Sequence, residues 1–232
     1  MGRSVAGQRM DDGMDYERLK TRHRAERDAW HPSLSLRVHR ALSWLTRAEQ
    51  LAGNDDPDGQ FILLWIAFNA AYATDIDEKY RESEQQTFRG FLEKLTQLDA
   101  AQKRFEKLVW DEFPKSIRVL LENKFVFADF WRFQNGSIPE ETWRASFAAA
   151  NRAAHVALGR RDTVTVLSVV LARIYVLRNQ LVHGGATWGS SVNREQLRDC
   201  TNFMAKLVPL VIEVMMDHPE TLWGQACYPV VK

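Results

Sequence analysis

What the sequence has little of narrows it first. Cysteine is nearly absent: Cys200 and Cys227 are the only two in 232 residues, and neither belongs to a CxxC pair. No close His/Cys cluster offers a zinc motif, and two unclustered thiols fit a reducing cytoplasm. Net charge is also scarce, at +1, so no overall basic field announces a nucleic-acid binder. Any contact with RNA has to come from a local patch. Long apolar runs are missing too. The longest, Phe61 to Phe68, is far short of the roughly 20 residues that span a bilayer, so no membrane partner is expected. Arg3 and Arg9 stand near the N-terminus without an apolar stretch beside them, and no signal peptide is expected there. Together these absences point to a cytoplasmic protein. Internal repeats and runs of alternating strand pattern are likewise lacking.

What is present is core material. The hydrophobic fraction is 45%, with eight Trp and twelve Phe, enough for one large domain or one domain with appendages. Residues 1–33 form the poorest stretch: charges alternate with small residues, so burial cannot offset the entropy of ordering them. A flexible charged arm is expected there, and methionines at 1, 10 and 14 leave the true start open.

From Leu34 onward helical signals dominate, and an all-α domain is expected over 34–217. A first helix covers about 34–52 and stops at Gly53-Asn54-Asp55-Asp56-Pro57. A second, about 58–73, reads DGQFILLWIAFNAAYA; it is apolar nearly all round, so it should be buried, with Asn69 as its interior polar residue. Residues 84–98 and 102–121 read as amphipathic helices, the latter bent at Pro114. The aromatic stretch 125–143 is broken at Asn135-Gly136 and Pro139. A helix over 140–158 should close at Gly159. Asp162-Thr163 then caps a long apolar helix ending at Gly184-Gly185, and the last helix, 193–217, has Asn193 as its N-cap. The two most apolar helices, 58–73 and 162–183, are expected to pack on each other. Residues 218–232 are a tail.

The feature that carries chemistry is Arg178-Asn179-Gln180-Leu181-Val182-His183-Gly184. Arg178 shares a helix face with Leu171, Ile174, Leu181 and Val182. An arginine in an apolar stripe is costly unless it is paired or faces a wet cleft. His183 lies five residues on, about 140° around an ideal helix. The two converge only if the helix unwinds near His183, which the glycine pair would permit, or if a second subunit completes the site.

At these residues the sequence resembles the HEPN superfamily, whose signature is R-x(4–6)-H with a polar residue, often Asn, after the arginine. LRNQLVHGG is similar to that motif in its four-spacer form, and FILLWIAFNAAY upstream is similar to a W-x-A-F-N-A-x-Y helix of the Apea-like branch. The likeness covers these two helices closely and the rest of 34–217 only in outline. Two further matches to the bare pattern, Arg18-x4-His23 and Arg24-x6-His31, fall in the polar arm and read as accidental.

The resemblance implies a HEPN-like bundle with additional helices between its two core helices. It also implies a homodimer that brings two motifs together, and RNA cleavage without a metal or other cofactor. His183 would be the general acid or base acting on the 2′-hydroxyl or the leaving 5′-oxygen; an imidazole, which ordinarily titrates near pH ~6.5, suits that task. Arg178 would hold the scissile phosphate and stabilise its added negative charge. Asn179 would orient the phosphate or His183, and Asn69 is a candidate substrate contact. A toxin or defence effector, with an antitoxin or regulatory protein as partner, fits this class. One departure stands out: HEPN toxins silenced by nucleotidyl transfer carry R-x4-H-x-Y, and Gly185 occupies the tyrosine position here.

Plainer uses of the same residues remain open. Arg178 could sit in a buried ion pair and His183 at a helix C-terminus, where a cation is favoured. Asn69 could satisfy backbone groups within a bundle. Trp65 and the aromatic cluster Phe125, Phe127, Phe130, Trp131 and Phe133 read first as core, although the cluster with Lys124 and Arg132 could stack bases. Arg160-Arg161, Asp55-Asp56 and Glu140-Glu141 read as solvated. The functional alternatives are a non-catalytic HEPN module that binds RNA or nucleotide, or a helical dimerisation or interaction protein.

Overall fold

The computed structural model describes residues 15–73, 84–191 and 194–228, with side chains in all of these except 84–87. Among the described residues the secondary structure is helical, with no β-strand. The helices are α1 (Asp15–Glu26), α2 (Pro32–Ala52), α3 (Pro57–Tyr72), α4 (Glu84–Leu98), α5 (Arg104–Lys107), α6 (Pro114–Glu122), α7 (Ala128–Gln134), α8 (Glu140–Gly159), α9 (Thr163–Val182) and α10 (Arg194–Asp217). The N-cap expected at Asn193 and the start-site methionines lie outside the described residues.

The span expected as one domain falls into two compact units. One comprises Met1–Asp75 with Leu207–Lys232, the other Ile76–Lys206. Helix α3 belongs to the first and α9 to the second. Each of the two apolar helices is therefore described against the neighbours in its own unit.

In the first unit α2 and α3 form an extensive helix pair. His31 caps α2, its ring Nδ1 accepting from Ser33 N at 3.2 Å, and Pro32 takes the first helical position, where a missing N–H costs nothing. Leu34, Val38, Ala41, Leu42, Leu45 and Ala48 give α2 a buried stripe at helical spacing. Asp56 caps α3 through Gly59 N at 3.0 Å, and Phe61, Leu64, Trp65, Ala67, Phe68 and Ala71 are buried along it.

The stretch expected as a flexible arm is helical from Asp15. Leu19 and His23 on α1 are fully buried. Two of its arginines reach the C-terminal part of the unit: Arg18 bonds Glu213, and Arg22 reaches Asp217 at 2.6 Å and Met216 O at 3.0 Å. Few apolar groups are needed when ion pairs hold the polar face in register. The burial of His23 and the cap role of His31 give both accidental motif matches structural positions.

The C-terminal segment is held by two arginines of α2. Arg37 is 1% exposed and donates to Ala71 O at 3.0 Å, Ala73 O at 2.7 Å and Gln225 O at 2.6 Å. Burial pulls its guanidinium below the usual arginine range. Arg40 donates to the carbonyls of Cys227 and Tyr228, both at 2.6 Å. Trp223 and Ala226 are buried, so residues 218–228 are built into this unit.

The second unit is organised around α9. Asp162 accepts from Thr165 N at 3.0 Å and from the Thr165 hydroxyl at 2.7 Å, as expected of an N-cap. From Val166 to Leu177 the helix packs against α4, α8 and α6. By length and composition α9 could cross a bilayer; here it is a core helix of its unit. The helix expected over 102–121 is broken. Phe113 N bonds Leu108 O across five residues, closing a π-helical turn at Leu108–Glu112, and Pro114 opens α6 instead of bending a longer helix. Gly159 is not the stop of α8 but its last helical residue. The left-handed position falls at Arg161, φ 53°, where Asp162 N bonds Ala157 O and Arg161 N bonds Leu158 O. Phe130 and Trp143 are buried and meet edge to face at 5.2 Å, while Phe127, Trp131 and Phe133 are half-buried and Phe125 is exposed, so of the aromatic cluster only Phe130 is fully core.

Replacing Arg37 by Ala leaves three carbonyls without their donor. We expect a loss of about 3 kcal/mol or more in reversible denaturant unfolding, and faster proteolysis within 218–228. Burial raises the Glu49 carboxyl from 4.5 to about 7, while the hydrogen bond from Tyr16 N opposes the shift. A raised folded-state value means stability is present in full below pH ~4.5 and lost as pH rises through about 7. Glu49→Gln should match the parent near pH 5 and exceed it at pH 8, by at most roughly 3 kcal/mol, in thermal melts at both values.

Candidate functional site

The motif occupies the last turn of α9 and its exit. Leu171, Ile174 and Leu177 are buried, Arg178, Asn179, Gln180 and Leu181 are half-buried, and Val182 and His183 are exposed. The core helix thus delivers its polar residues to the surface one after another, within a single turn and a half.

Arg178 is held locally. Its Nη1 donates to Asn179 Oδ1 at 2.8 Å, and its guanidinium carbon lies 5.7 Å from the centre of the Tyr175 ring. Asn179 therefore orients Arg178. Its main-chain oxygen does a second job, accepting from His183 N at 3.0 Å. Gln180 fastens the helix end to the rest of the unit: its Nε2 donates to Phe125 O at 2.6 Å, an oxygen that also accepts from Trp131 Nε1 at 2.8 Å.

The glycine pair closes the helix instead of unwinding it ahead of His183. Gly184 has φ 71°, a left-handed conformation that favours glycine; its N–H donates to Leu181 O at 3.2 Å, and Gly185 N donates to Gln180 O at 2.7 Å. This bond pair is a Schellman termination with His183 as the C-cap residue. A Cβ on Gly185 would stand 3.1 Å from Gln180 O, so the second glycine serves the close approach. Helix α9 stays regular through Val182, which keeps His183 about 140° around the axis from Arg178. Within one chain the structure joins Arg178 to Asn179 and leaves His183 apart. Among the described residues the His183 ring has no hydrogen-bond or ion-pair partner.

Asn69, the other candidate, is half-buried on α3 in the first unit, and its main-chain oxygen accepts from Ala73 N at 2.8 Å.

Sequence reasoning missed the more deeply buried arginine of α9. Arg173 is 3% exposed, with its guanidinium over the rings of Phe127 at 4.4 Å and Phe147 at 5.3 Å. Burial lowers it to about 10, while the nearby Glu122 carboxylate opposes the shift. Its Nη2 reaches Asn151 Oδ1 at 3.4 Å; Asn151 Nδ2 reaches Glu122 at 3.2 Å, and Glu122 holds His155 at 2.8 Å. The signal was available as an arginine one residue before Ile174 in the same apolar run. Arg161, read as solvated, is exposed with its guanidinium 5.0 Å from the Trp110 ring centre.

No family model, curated protein or solved structure matches the chain.

The Schellman closure makes a specific demand at Gly184. Gly184→Ala should cost about 1 kcal/mol in reversible unfolding, because an L side chain is strained at this φ. Gly184→Asn should cost less, since asparagine tolerates the left-handed region. Equal stability for Ala and Asn would count against this account of the helix end.

Proposed function

We propose that the chain is a HEPN-type endoribonuclease that cuts RNA by attack of the adjacent 2′-hydroxyl, with a composite site made by two copies of α9. The observation carrying this reading is the arrangement at the end of α9. An arginine is held in place by Asn179 and Tyr175, and a histidine is offered to solvent at the C-cap. A guanidinium suits a phosphate and its added charge in the pentacovalent state; an imidazole suits proton transfer at the 2′- or 5′-oxygen.

The dimer belongs to the same reading. The helix does not unwind ahead of His183, so local unwinding does not bring Arg178 and His183 together, and the reading turns to a second subunit. A two-fold partner supplies the second motif, and symmetry doubles every contact. In this scheme Arg178 of one copy and His183 of the other face the same phosphodiester.

Chemistry then runs on the chain's own groups. One His183 takes the 2′-hydroxyl proton as the oxygen attacks phosphorus, and an imidazolium returns a proton to the departing 5′-oxygen. Arg178 stays charged throughout and stabilises the equatorial oxygens. A toxin or defence role, with a regulatory protein partner, is the biological setting that fits such an activity.

A second reading is favoured by one observation. The His183 ring lacks an orienting partner among the described residues of its own chain, which suits a non-catalytic module that binds RNA through Arg178.

Incubating purified protein with RNA in EDTA separates the two. Cleavage should persist, yield 2′,3′-cyclic phosphate and 5′-hydroxyl ends, and stop at a 2′-deoxy nucleotide in the scissile position. His183→Ala and Arg178→Ala should each lower the rate about 10²–10⁴-fold with an unchanged helical CD spectrum. Light scattering should give twice the 26.8 kDa chain mass. Cleavage by His183→Ala at the parent rate would sink the mechanism; RNA binding without any cleavage would favour the non-catalytic module.

A further inference from the structure

The eight tryptophans are treated unequally by the fold. Trp30, Trp65, Trp143 and Trp223 are buried, and Trp188 is the most exposed of the eight, at 69%. An indole in that position leaves roughly 150 Å² of mostly apolar surface in water. Isolated exposed hydrophobics are common and carry no message by themselves. Trp188 differs in how it is held and in where it stands.

It is held at the corner of a turn. Ser190 N donates to Thr187 O at 3.1 Å, Gly189 has φ 69°, and Trp188 keeps a negative φ. That combination is a type II turn with Trp188 at the second position and glycine at the third, where a positive φ is needed. A type II turn projects its second residue outward, so the indole is presented by the backbone.

The position is set by the helix end. Gly185 is bonded back onto Gln180 O, so the chain leaving the motif is tied beside the last turn of α9. Three virtual bonds separate Gly185 from Trp188, which confines their Cα atoms to within about 11 Å. Everything from His183 to Gly189 is exposed.

The loop itself offers little for a packed protein interface centred on the indole. Gly184, Gly185, Ala186, Thr187, Gly189 and Ser190 flank the indole in sequence with small or polar groups. Val182, 49% exposed, is the nearest exposed large aliphatic in sequence. A stable interface needs about 800 Å² from each partner, with a packed apolar centre, and one aromatic on a Gly/Ser-rich loop does not supply it. A single π-face on the loop that leaves the Arg178 helix end suits one unstacked nucleobase.

We propose that Trp188 is a base-stacking residue that selects single-stranded RNA, holding a nucleotide adjacent to the phosphate bound at Arg178. This rests on the RNA-directed reading of the motif. Stacking requires a base freed from its neighbours, so duplex RNA cannot use the site. Every base has a π-face, so the preference is for unpaired over paired RNA and not for one base.

The test uses full-length protein carrying His183→Ala, so that substrate is bound without being cut. Anisotropy of a fluorescein-labelled, unstructured RNA oligonucleotide is read against the same RNA in a duplex. Adding Trp188→Ala should weaken single-strand binding about 10-fold or more, leave duplex binding unchanged, and leave mass by light scattering unchanged. Trp188→Phe should retain most of the affinity. If Trp188→Ala binds single strands as tightly as its parent, the stacking role is wrong while the ribonuclease reading stands. If it changes the assembly's mass, a second copy covers the indole and the proposal falls. If the His183→Ala protein binds no RNA at all, the reading of the motif itself fails, and this proposal with it.

Discussion

Helix α9 is buried from Val166 to Leu177, and within six residues its side chains stand in water. The candidate site depends on that transition. A helix rooted in the core cannot slide or rotate without exposing Val170, Leu171 and Ile174, all fully buried. Its final turn is therefore fixed in register, and so are Arg178 and Asn179. The bond from Gln180 to Phe125 O and the return of Gly185 to Gln180 O fix the far end. A reactive group on a free loop would need substrate to order it; here the packing has already done so.

Arginine is the recurrent structural device in both units, and it works differently in each. Arg37 and Arg40 spend their donors on main-chain carbonyls and thereby hold the C-terminal segment. Arg173 lies between aromatic faces and ends a polar chain running through Asn151 and Glu122 to His155. Arg178 meets an amide oxygen and a tyrosine ring. The planar fork of the guanidinium makes all three uses possible; a lysine ammonium would reproduce none of them well.

Much of the helix order was legible because it rests on local rules. Pro32, Asp56-Pro57 and Asp162 mark helix starts through capping chemistry, and Gly184-Gly185 marks an end through the sign of φ. One failure turns on contacts distant in sequence, and two on local bonds that no single residue announces. Residues 15–26 look too polar to order until Glu213 and Asp217 are brought to Arg18 and Arg22. Gly159 looks like a stop, yet the bonds that end α8 put Arg161 in the left-handed position. The break at Leu108–Glu112 left only Pro114 as its trace. In the candidate site, Arg178, Asn179 and His183 stood out through the motif and the resemblance it carries. Trp188 was not, because an aromatic among small residues gives no periodic signal, and its exposure follows from a turn only coordinates reveal.

The helix termination has one more consequence, for the direction from which an anion can arrive. A helix C-terminus carries the negative end of the macrodipole, equivalent to about half an electronic charge. Phosphates are repelled along that axis. The two glycine N–H groups cover the carbonyls of Gln180 and Leu181, blunting this field at its source. Arg178 sits a full turn back from the end and to one side. Under the proposed reading, a polyanion would be steered away from the axis and toward the flank of α9, crossing the helix terminus as a strand crosses a post.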